Sequence, residues 1–221
     1  NYLAAYAEIR GQGALAWCDI STGDFNVMEC APVRLGPELA RLSPREVLVS
    51  NGLEVERQDG LAEIGAAVTP LALGSFDSAS ATIRLGELFG VATLESFGSF
   101  ARSELSAMGA LIDYLELTQK GALPLLRPPR RQLRGAILQL DAATRRNLEL
   151  TQALSGGRAH SLLAVLDRTL TAAGGRLLER RLTGPSTDLD AIRRRHDAVA
   201  FCVSDSSIRA DLGASLRQSP D

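Results

Sequence analysis

The sequence predicts an α/β domain followed by an all-α segment. Three apolar stretches joined by short Gly-containing loops begin the chain, at residues 2–9, 14–20 and 24–30. Helical patterns and short apolar strands alternate after them to about residue 120, and from residue 140 capped amphipathic helices follow one another. We therefore expect an α/β domain over residues 1–122, a Pro- and Arg-rich crossing over 123–134 and a helical domain over 135–221.

The three N-terminal stretches are predicted to form an antiparallel meander. Gly in the connections Arg10–Gly13 and Ser21–Gly23 suits the positive φ angles of hairpin loops. A helix over Leu35–Leu42 and an apolar strand, Glu46–Val49, follow. Because this strand lacks polar alternation, we expect it to be buried on both faces. Residues 51–67 are polar and weakly patterned.

Further elements complete the predicted α/β layer. Val68–Leu71 suggests a strand, Asp77–Phe89 a helix and 102–120 a longer helix. The apolar positions expected to be buried are Ile83, Leu85, Leu88 and Phe89 in the first helix, and Met108, Leu111, Ile112, Leu115 and Leu117 in the second. Three antiparallel strands, a helix, a further strand and more helices follow the order of a ribonuclease-H-like layer.

The crossing combines three prolines with several arginines, so neither a helix nor a central strand is expected there. We place a hinge in this segment. The residues assigned to the crossing and hinge are Pro124, Arg127, Pro128, Pro129, Arg130 and Arg131. Gly135–Leu140 is apolar enough for a short strand after it.

The helical domain shows a start signal for each predicted helix. Asp141 is a predicted N-cap for a helix that includes Leu150 and Leu154 and ends at Gly156–Gly157. Ser161 is expected to cap a short helix. A third helix spans Ala172–Leu182 and contains Gly174 and Gly175, which weaken a helix unless a neighbour approaches closely. Its stop signal is Thr183-Gly184-Pro185.

A fourth helix is expected to open at Asp188 or Asp190. It places one apolar stripe on a single face, with arginines around the remainder. The stripe consists of Leu189, Ile192, His196, Val199 and Val203.

The distribution of charged, apolar and cysteine residues limits which class of protein the chain can belong to. Residues 1–126 carry 8 basic and 16 acidic side chains, whereas residues 127–221 carry 16 basic and 10 acidic ones, as expected of two different domains. No apolar run reaches the length of a membrane span. The chain starts with neither Met nor a signal-peptide pattern, so we expect it to be part of a longer protein. Cys18, Cys30 and Cys202 are widely spaced in apolar surroundings, which predicts buried or half-buried free thiols and a cytoplasmic location.

Candidate catalytic groups are few. Asp19 stands where a ribonuclease-H-like nuclease would hold a metal ligand, but we expect it to order the turn Ser21–Gly23 instead. His196 falls on an apolar stripe, where a packed imidazole is expected, and His160 lies in a loop. Neither Gly pair is followed by the Gly-Lys-Ser/Thr of a phosphate loop. We expect no catalytic residue, cofactor or metal ligand in this segment.

The arginines of the second half are the best candidates for nucleic-acid contact. Aromatic residues for base stacking are absent beside them, so a salt-bridged surface or pairing with the acidic first half is the favoured alternative. The arginines are Arg127, Arg130, Arg131, Arg134, Arg145, Arg146 and Arg193 to Arg195.

Three blocks in the helical half resemble the start of the core (lever) domain of the MutS family of DNA mismatch-repair proteins. The blocks are Leu140–Leu150, Ser161–Thr169 and Gly174–Leu178. A weaker block, Cys18–Phe25, is similar to the beginning of the family's connector domain. The resemblance covers nearly the whole chain and implies a ribonuclease-H-like connector domain followed by part of a lever domain. Its structural motif residues are Asp141, Arg145, Arg146, Asn147, Gly174 and Gly175.

The resemblance also implies a function. Family members bind mismatched double-stranded DNA as homodimers through a Phe-x-Glu wedge and hydrolyse ATP with Mg²⁺ in a C-terminal P-loop domain; neither motif occurs here. The segment is therefore expected to be non-catalytic, to transmit conformational change between those regions and to offer MutL a surface that includes Thr82, Arg84 and Glu87. Two alternatives remain: a metal-dependent ribonuclease-H-like nuclease, and a stand-alone adaptor without an ATPase.

Overall fold

A computed structural model describes residues 2–53, 66–119, 124–133, 135–138 and 140–219. The chain divides into two compact units, residues 1–134 and residues 135–221. The first unit combines a mixed sheet with helices, and the described part of the second contains helices and one isolated β-bridge. An α/β region followed by a helical region is therefore confirmed. Most of the polar stretch 51–67 lies outside the described residues.

The N-terminal meander forms as predicted. Strands β1 (Tyr2–Ile9), β2 (Gln12–Asp19) and β3 (Phe25–Glu29) pair antiparallel in sequence order. Arg10 and Gly11 both have positive φ, 51° and 78°, so they form a two-residue loop whose twist matches that of the paired strands. In these extended strands, consecutive side chains point to opposite faces of the sheet.

The remaining strands extend this sheet on both sides. Helix α1 (Leu35–Leu42) leads to β4 (Glu46–Ser50), which pairs parallel with β1, and β5 (Ala67–Leu71) pairs parallel with β4. A two-residue strand, β6 (Arg130–Arg131), pairs parallel with β3. The resulting order is β5-β4-β1-β2-β3-β6. The central residues of β4 are fully buried, which confirms that both its faces are covered.

Two helices pack on one face of the sheet. These are α2 (Ser78–Phe89) and α3 (Arg102–Thr118), and α3 contacts β1, β2 and β3. The predicted burial of Ile83 and Leu117 is wrong, because their side chains are 64% and 70% exposed. Each lies about 200° around its helix from a buried residue two positions earlier, and so faces away from the core.

The opposite face of the sheet carries a second core cluster, to which α1 contributes. Tyr6, Trp17 and Leu39 are buried there. Arg41 of α1 lies over the Trp17 ring with its guanidinium carbon 5.5 Å from the ring centroid. The sheet is thus covered on both sides.

The second unit contains five helices among its described residues. They are α4 (Ala142–Asn147), α5 (Leu162–Leu166), α6 (Ala172–Thr183), α7 (Leu189–Ser204) and α8 (Ser206–Gln218). Each begins after a side chain that accepts a hydrogen bond from a backbone N–H of the first turn. These caps are Asp141, Ser161, Thr171, Asp188 and Asp205.

Two predicted elements of this unit are wrong. The helix after Asp141 ends at Asn147 rather than at Gly156, because Glu149 adopts φ 48° and the chain then turns to bond with α5, with Leu163 N donating to Leu150 O. Among the described residues of Gly135–Leu140, the expected strand is reduced to one antiparallel bridge between Ile137 and Ser186.

The apolar stripe of α7 is largely uncovered. Leu189, Val199 and Val203 are each more than 60% exposed, and none of the described residues in α6, α7 or α8 is buried. The predicted packing of His196 is therefore wrong, since no described element of the unit covers this face. Helical periodicity predicted the apolar face correctly, but it does not predict whether another element packs against that face.

Gly23, in the β2–β3 turn, combines a positive φ with a close approach of another backbone segment. It has φ 73°, and a Cβ there would lie 2.1 Å from the carbonyl oxygen of Leu125. Gly11, in the β1–β2 loop, has a similar φ of 78° but nothing within 4 Å of its Cβ position. The two glycines therefore separate the cost of backbone conformation from the cost of a close approach.

We expect Gly23→Ala to destabilise the protein more than Gly11→Ala does. Both substitutions place Ala at positive φ, at a cost of about 1–2 kcal/mol. Gly23→Ala adds a clash with the Leu125 backbone, typical of overpacking at about 1–3 kcal/mol. Urea unfolding followed by circular dichroism measures both. Equal losses would contradict the close approach of residue 125 to this turn.

Candidate functional surfaces

The predicted docking residues lie on α2, but they do not form one exposed set. Thr82 and Glu87 are exposed. Arg84 is only partly exposed: its Nη1 donates to the carbonyl oxygen of Gly109 at 3.1 Å, and its Nη2 lies 3.4 Å from Oδ1 of Asp113. Arg84 therefore joins α2 to α3, which corrects the expectation that its side chain is exposed on α2.

The two helices also approach closely at one point. A Cβ added at Gly109 would lie 2.3 Å from the Cβ of Ala81, so only glycine permits this separation of α2 and α3. With Arg84 bonded across the same interface, α2 and α3 are held as a pair.

Residues 124–132, which we call the strap, run along the β3 side of the sheet. The Leu126 side chain is buried in the core cluster that the sheet forms with α2 and α3. Arg127 N donates to Gly23 O at 2.8 Å. Arg127 also pairs with Asp24, 3.1 Å away. Gln132 N donates to Val27 O at 2.8 Å. Of the predicted hinge residues, Arg130 and Arg131 form an edge strand of the first unit and the others precede it. The strap ends where this last bond is made.

The Arg131 side chain of the strap donates hydrogen bonds to three other residues. Its Nε donates to Oε1 of Glu104 at 2.8 Å, its Nη2 to Glu29 at 3.0 Å and its Nη1 to the carbonyl oxygen of Ser99 at 3.3 Å. Glu104 is completely buried, and its Oε2 accepts the backbone N–H of Ala101, the N-cap of α3. One arginine therefore links the strap, β3 and the first turn of α3.

Sequence reasoning missed Glu104, although a signal existed. A Glu at the third position of a helix commonly bonds back to the N-cap backbone, and Glu104 stands at that position after Ala101. Its burial and its pairing with Arg131, which is 27 residues away, are tertiary contacts without a local pattern.

Two other carboxylates, one buried and one half-buried, were also missed. Glu38 of α1 is buried and pairs with Arg41 at 2.7 Å. Glu46 accepts hydrogen bonds from Thr69 Oγ1 at 2.5 Å and from Tyr114 OH at 2.7 Å, and it lines an open cleft of about 340 Å³. Burial and the bond to Glu46 raise the pKa of Tyr114 to about 12.

Asp19 orders the turn that follows β2, as predicted. Its Oδ1 accepts from Ser21 N at 2.9 Å and from Ser21 Oγ at 2.6 Å. Its backbone carbonyl accepts from Thr22 N and Gly23 N. Within the described residues, no group of three or more His, Cys, Asp or Glu side chains has a geometry that could hold a metal ion.

The predicted motif residues of the second unit have separate structural roles. Asp141 accepts the backbone N–H of Thr144 at 2.6 Å, and this bond lowers the pKa of its carboxyl group. Arg145 donates through Nε to Leu140 O at 3.1 Å and through Nη1 to Thr183 O at the end of α6. Arg146 and Asn147 are exposed.

The Gly174–Gly175 pair lies in the first turn of α6. Gly174 N donates to the cap Thr171 Oγ1 at 3.0 Å, and a Cβ at Gly175 would lie 3.3 Å from the hydroxyl of Thr169. The pair therefore accommodates neighbouring threonine side chains. It does not form a phosphate-binding loop.

The arginine run of α7 is exposed to solvent. Arg193 lies 3.6 Å from Asp190 on the same helix. The backbone N–H of Ala191 donates to Asp188, the cap of α7, and this bond is the main cause of its lowered pKa. Arg194 and Arg195 lower this pKa by a smaller amount. Desolvation lowers the pKa of Arg181, and the nearby positive charges of Arg195 and Arg180 lower it further.

Comparison with known proteins gives these surfaces a context. The family model described as MutS domain II matches residues 1–127, more than half of the chain. The chain belongs to the MutS family. A second model, MutS domain III, matches residues 143–221. Among similar proteins are DNA mismatch repair proteins MutS from Cereibacter sphaeroides, Paracoccus denitrificans and Roseobacter denitrificans, which are 61%, 58% and 55% identical over the whole chain.

The chain spans 25% of the length of each of these MutS relatives. It therefore corresponds to a MutS segment made of domain II and part or all of domain III. Among the described residues, no helix has the length and apolar character needed to cross a bilayer.

The environments of the three cysteines generate a test of the fold. Cys18 and Cys30 are buried and Cys202 is partly exposed, and all three are free thiols. Burial, with a smaller effect of Asp19, raises the pKa of Cys18 to about 12. Because the unfolded thiol ionises at its ordinary pKa, Cys18 lowers the stability of the protein as the pH rises from 9 towards 12.

We expect a thiol reagent such as Ellman's reagent to modify Cys202 rapidly at pH 8 and Cys18 and Cys30 only in denaturant. The thiolate is the reactive form, and at pH 8 only about one in ten thousand Cys18 side chains is ionised. Absorbance of the released thiolate measures the reaction, and Cys202→Ser should abolish its fast phase. Rapid modification of two thiols in the native protein would contradict these environments.

Proposed function

We propose that the chain is the connector domain and the beginning of the core (lever) domain of a MutS-type DNA mismatch-repair protein. In this role it transmits conformational change between the ATPase and mismatch-binding regions of the parent, and offers a docking surface to MutL. The match of separate MutS domain models to the two parts of the chain supports this assignment. The segment itself is proposed to be non-catalytic.

We further propose that the first unit has a ribonuclease-H-like fold. The support is its strand order, in which an antiparallel meander is continued by the parallel strands β4 and β5 on the β1 side. Asp19, the residue that a nuclease of this fold would use, is instead bonded to Ser21 in a turn. This disfavours the nuclease alternative.

The observation that carries the mechanical role is a continuous series of contacts through the first unit. The strap is bonded to β3, and Arg131 joins it to Glu104 in the first turn of α3. Arg84 then joins α3 to α2, whose outer face presents Thr82 and Glu87. A displacement of the strap therefore acts on a rigid helix pair and not on isolated loops.

ATP and Mg²⁺ are assigned to the parent and not to this segment. The Gly174–Gly175 pair lies inside the first turn of α6 beside threonine side chains, which disfavours a phosphate-binding loop at this pair. Mismatched double-stranded DNA and a homodimer partner are likewise proposed for the full-length protein. The α7 arginines are a secondary candidate for contact with DNA.

We expect Glu87→Arg to weaken binding of the chain to the amino-terminal half of its MutL by at least about tenfold, since reversal of an interfacial charge disrupts complementarity. Biolayer interferometry measures the affinity. Glu95→Arg makes the same charge change at an exposed position outside α2 and should bind normally. Equal affinities of both variants and the unchanged chain would rule out docking at Glu87.

Arg84→Glu is a test of the helix pair and not of the surface. It should lower stability as well as binding, because it places a second carboxylate beside Asp113 and removes the bond to Gly109 O. Thermal unfolding of the variant separates the two effects.

We expect the purified chain neither to cleave DNA with Mg²⁺ nor to hydrolyse ATP. Asp19→Ala should only destabilise the fold, by about 1–2 kcal/mol, because Ser21 loses its acceptor. Gel analysis of DNA, phosphate release and urea unfolding measure these outcomes. Turnover that persists through repurification and disappears in Asp19→Ala would establish the nuclease alternative.

A further inference from the structure

β6, the strand within the strap, pairs with its neighbour over fewer residues than the other strands of the sheet do. β6 contributes two residues in register with β3, whereas β1 and β2 pair over eight. It lies at the edge of the sheet, so one of its sides has no neighbouring strand among the described residues. Strands β1 to β5 form a contiguous sheet without it. Loss of the strap from the sheet would therefore leave the other pairings intact.

Few side chains hold the strap in place. Leu126 is buried, but Leu125 beside it is 94% exposed. Arg127 pairs with Asp24 through a largely exposed guanidinium, which is a weak contact in water. Pro129 is also buried, and Arg131 neutralises the buried Glu104 and also contacts Glu29. The carboxylate of Glu104 would be left buried without a cation if Arg131 withdrew, which favours the closed position.

We propose that the strap is a releasable strand of the first unit and that Arg131 is its latch. In the closed form, residues 124–132 lie along β3. In the open form they leave the sheet edge together while β1 to β5 and the α2–α3 pair stay folded. Opening adds up to nine residues, about 30 Å when extended, to the chain between the two units. This deepens the proposed mechanical function, on which its biological meaning rests.

Release also alters α3 directly. Glu104 bonds both to Arg131 and to the backbone of Ala101, so opening removes one of two partners from the residue that caps α3. Residues 101–105 should therefore respond with the strap. Later turns of α3 are buried against the sheet and should not.

Hydrogen exchange of the 221-residue chain, read by NMR, tests the proposal without MutL, DNA or ATP. The reporters are the amides of Arg127 and Gln132, which donate to Gly23 O and Val27 O. Amides of the β1–β2 ladder report global unfolding. In the unchanged protein we expect the strap amides to exchange at least about a hundredfold faster than the ladder amides, with little acceleration by low urea, as in a local opening.

Arg131→Gln should accelerate exchange of the two strap amides at least about tenfold and leave the ladder amides within about twofold. Arg130→Gln is the matched control: it removes the same charge from the same strand, at an exposed side chain, and should change neither set. Arg131→Lys retains the charge but not the planar fork that reaches two carboxylates, and should fall between the two.

The proposal is overturned if strap and ladder amides exchange at the same rate in the unchanged protein. It is equally overturned if Arg131→Gln accelerates both sets together or abolishes cooperative unfolding, because the strap would then be an integral part of the folding core. Failure of MutL binding would leave these exchange rates unaffected, so the two proposals fail separately.

Discussion

Burial of the central strands on both faces is the constraint on which the first unit depends. Along β1, Ala5 and Ala7 point into the core beneath α3, whereas Ala4 and Tyr6 point into the core on the other face. Because successive side chains alternate, a one-residue slip of register would exchange the two sets and mismatch both cores. Alanines on the α3 side keep that helix close to the sheet, and the larger Tyr6 and Trp17 fill the other side.

Close packing of this kind limits the access of solvent to charged groups at its margin, and three carboxylates there bond to specific donors. Glu104 is neutralised by Arg131, Glu38 by Arg41, and Glu46 bonds to Tyr114 and Thr69. Breaking such a pair leaves a charge in a poorly solvated site, which costs far more than losing an exposed pair. The same contacts that satisfy burial therefore determine which elements move together.

The second unit is built on a different principle. Its helices are started by local side-chain caps, and Ser161, whose hydroxyl is buried, also donates to Arg158 O. Caps and short-range bonds define where helices begin but provide little buried apolar area, and Leu150, Ala153 and Leu163 are the only buried apolar residues there among the described residues. The exposed stripe of α7 thus follows from the absence of a packed neighbour within the described part of this unit.

Local sequence determined much of what was predicted correctly. Glycine at positive φ, a capping side chain before a helix and alternation along each strand depend on residues within about four positions of one another. The meander, α1, α2 and the caps Asp141 and Ser161 could therefore be identified without coordinates. The turn role of Asp19 belongs to the same class. The three family-like blocks in the helical half were also visible at this level.

The tertiary structure alone decided the rest. Arg84 was assigned to a surface and is bonded to α3, the hinge prolines precede an edge strand, and the helix after Asp141 stops at Asn147 because residue 150 bonds to residue 163. These outcomes depend on which distant group occupies the space beside a residue. Short-range patterns fix the conformation that a segment prefers, but the partner of a buried charge or an apolar face is set by chain packing, and no local pattern encodes it.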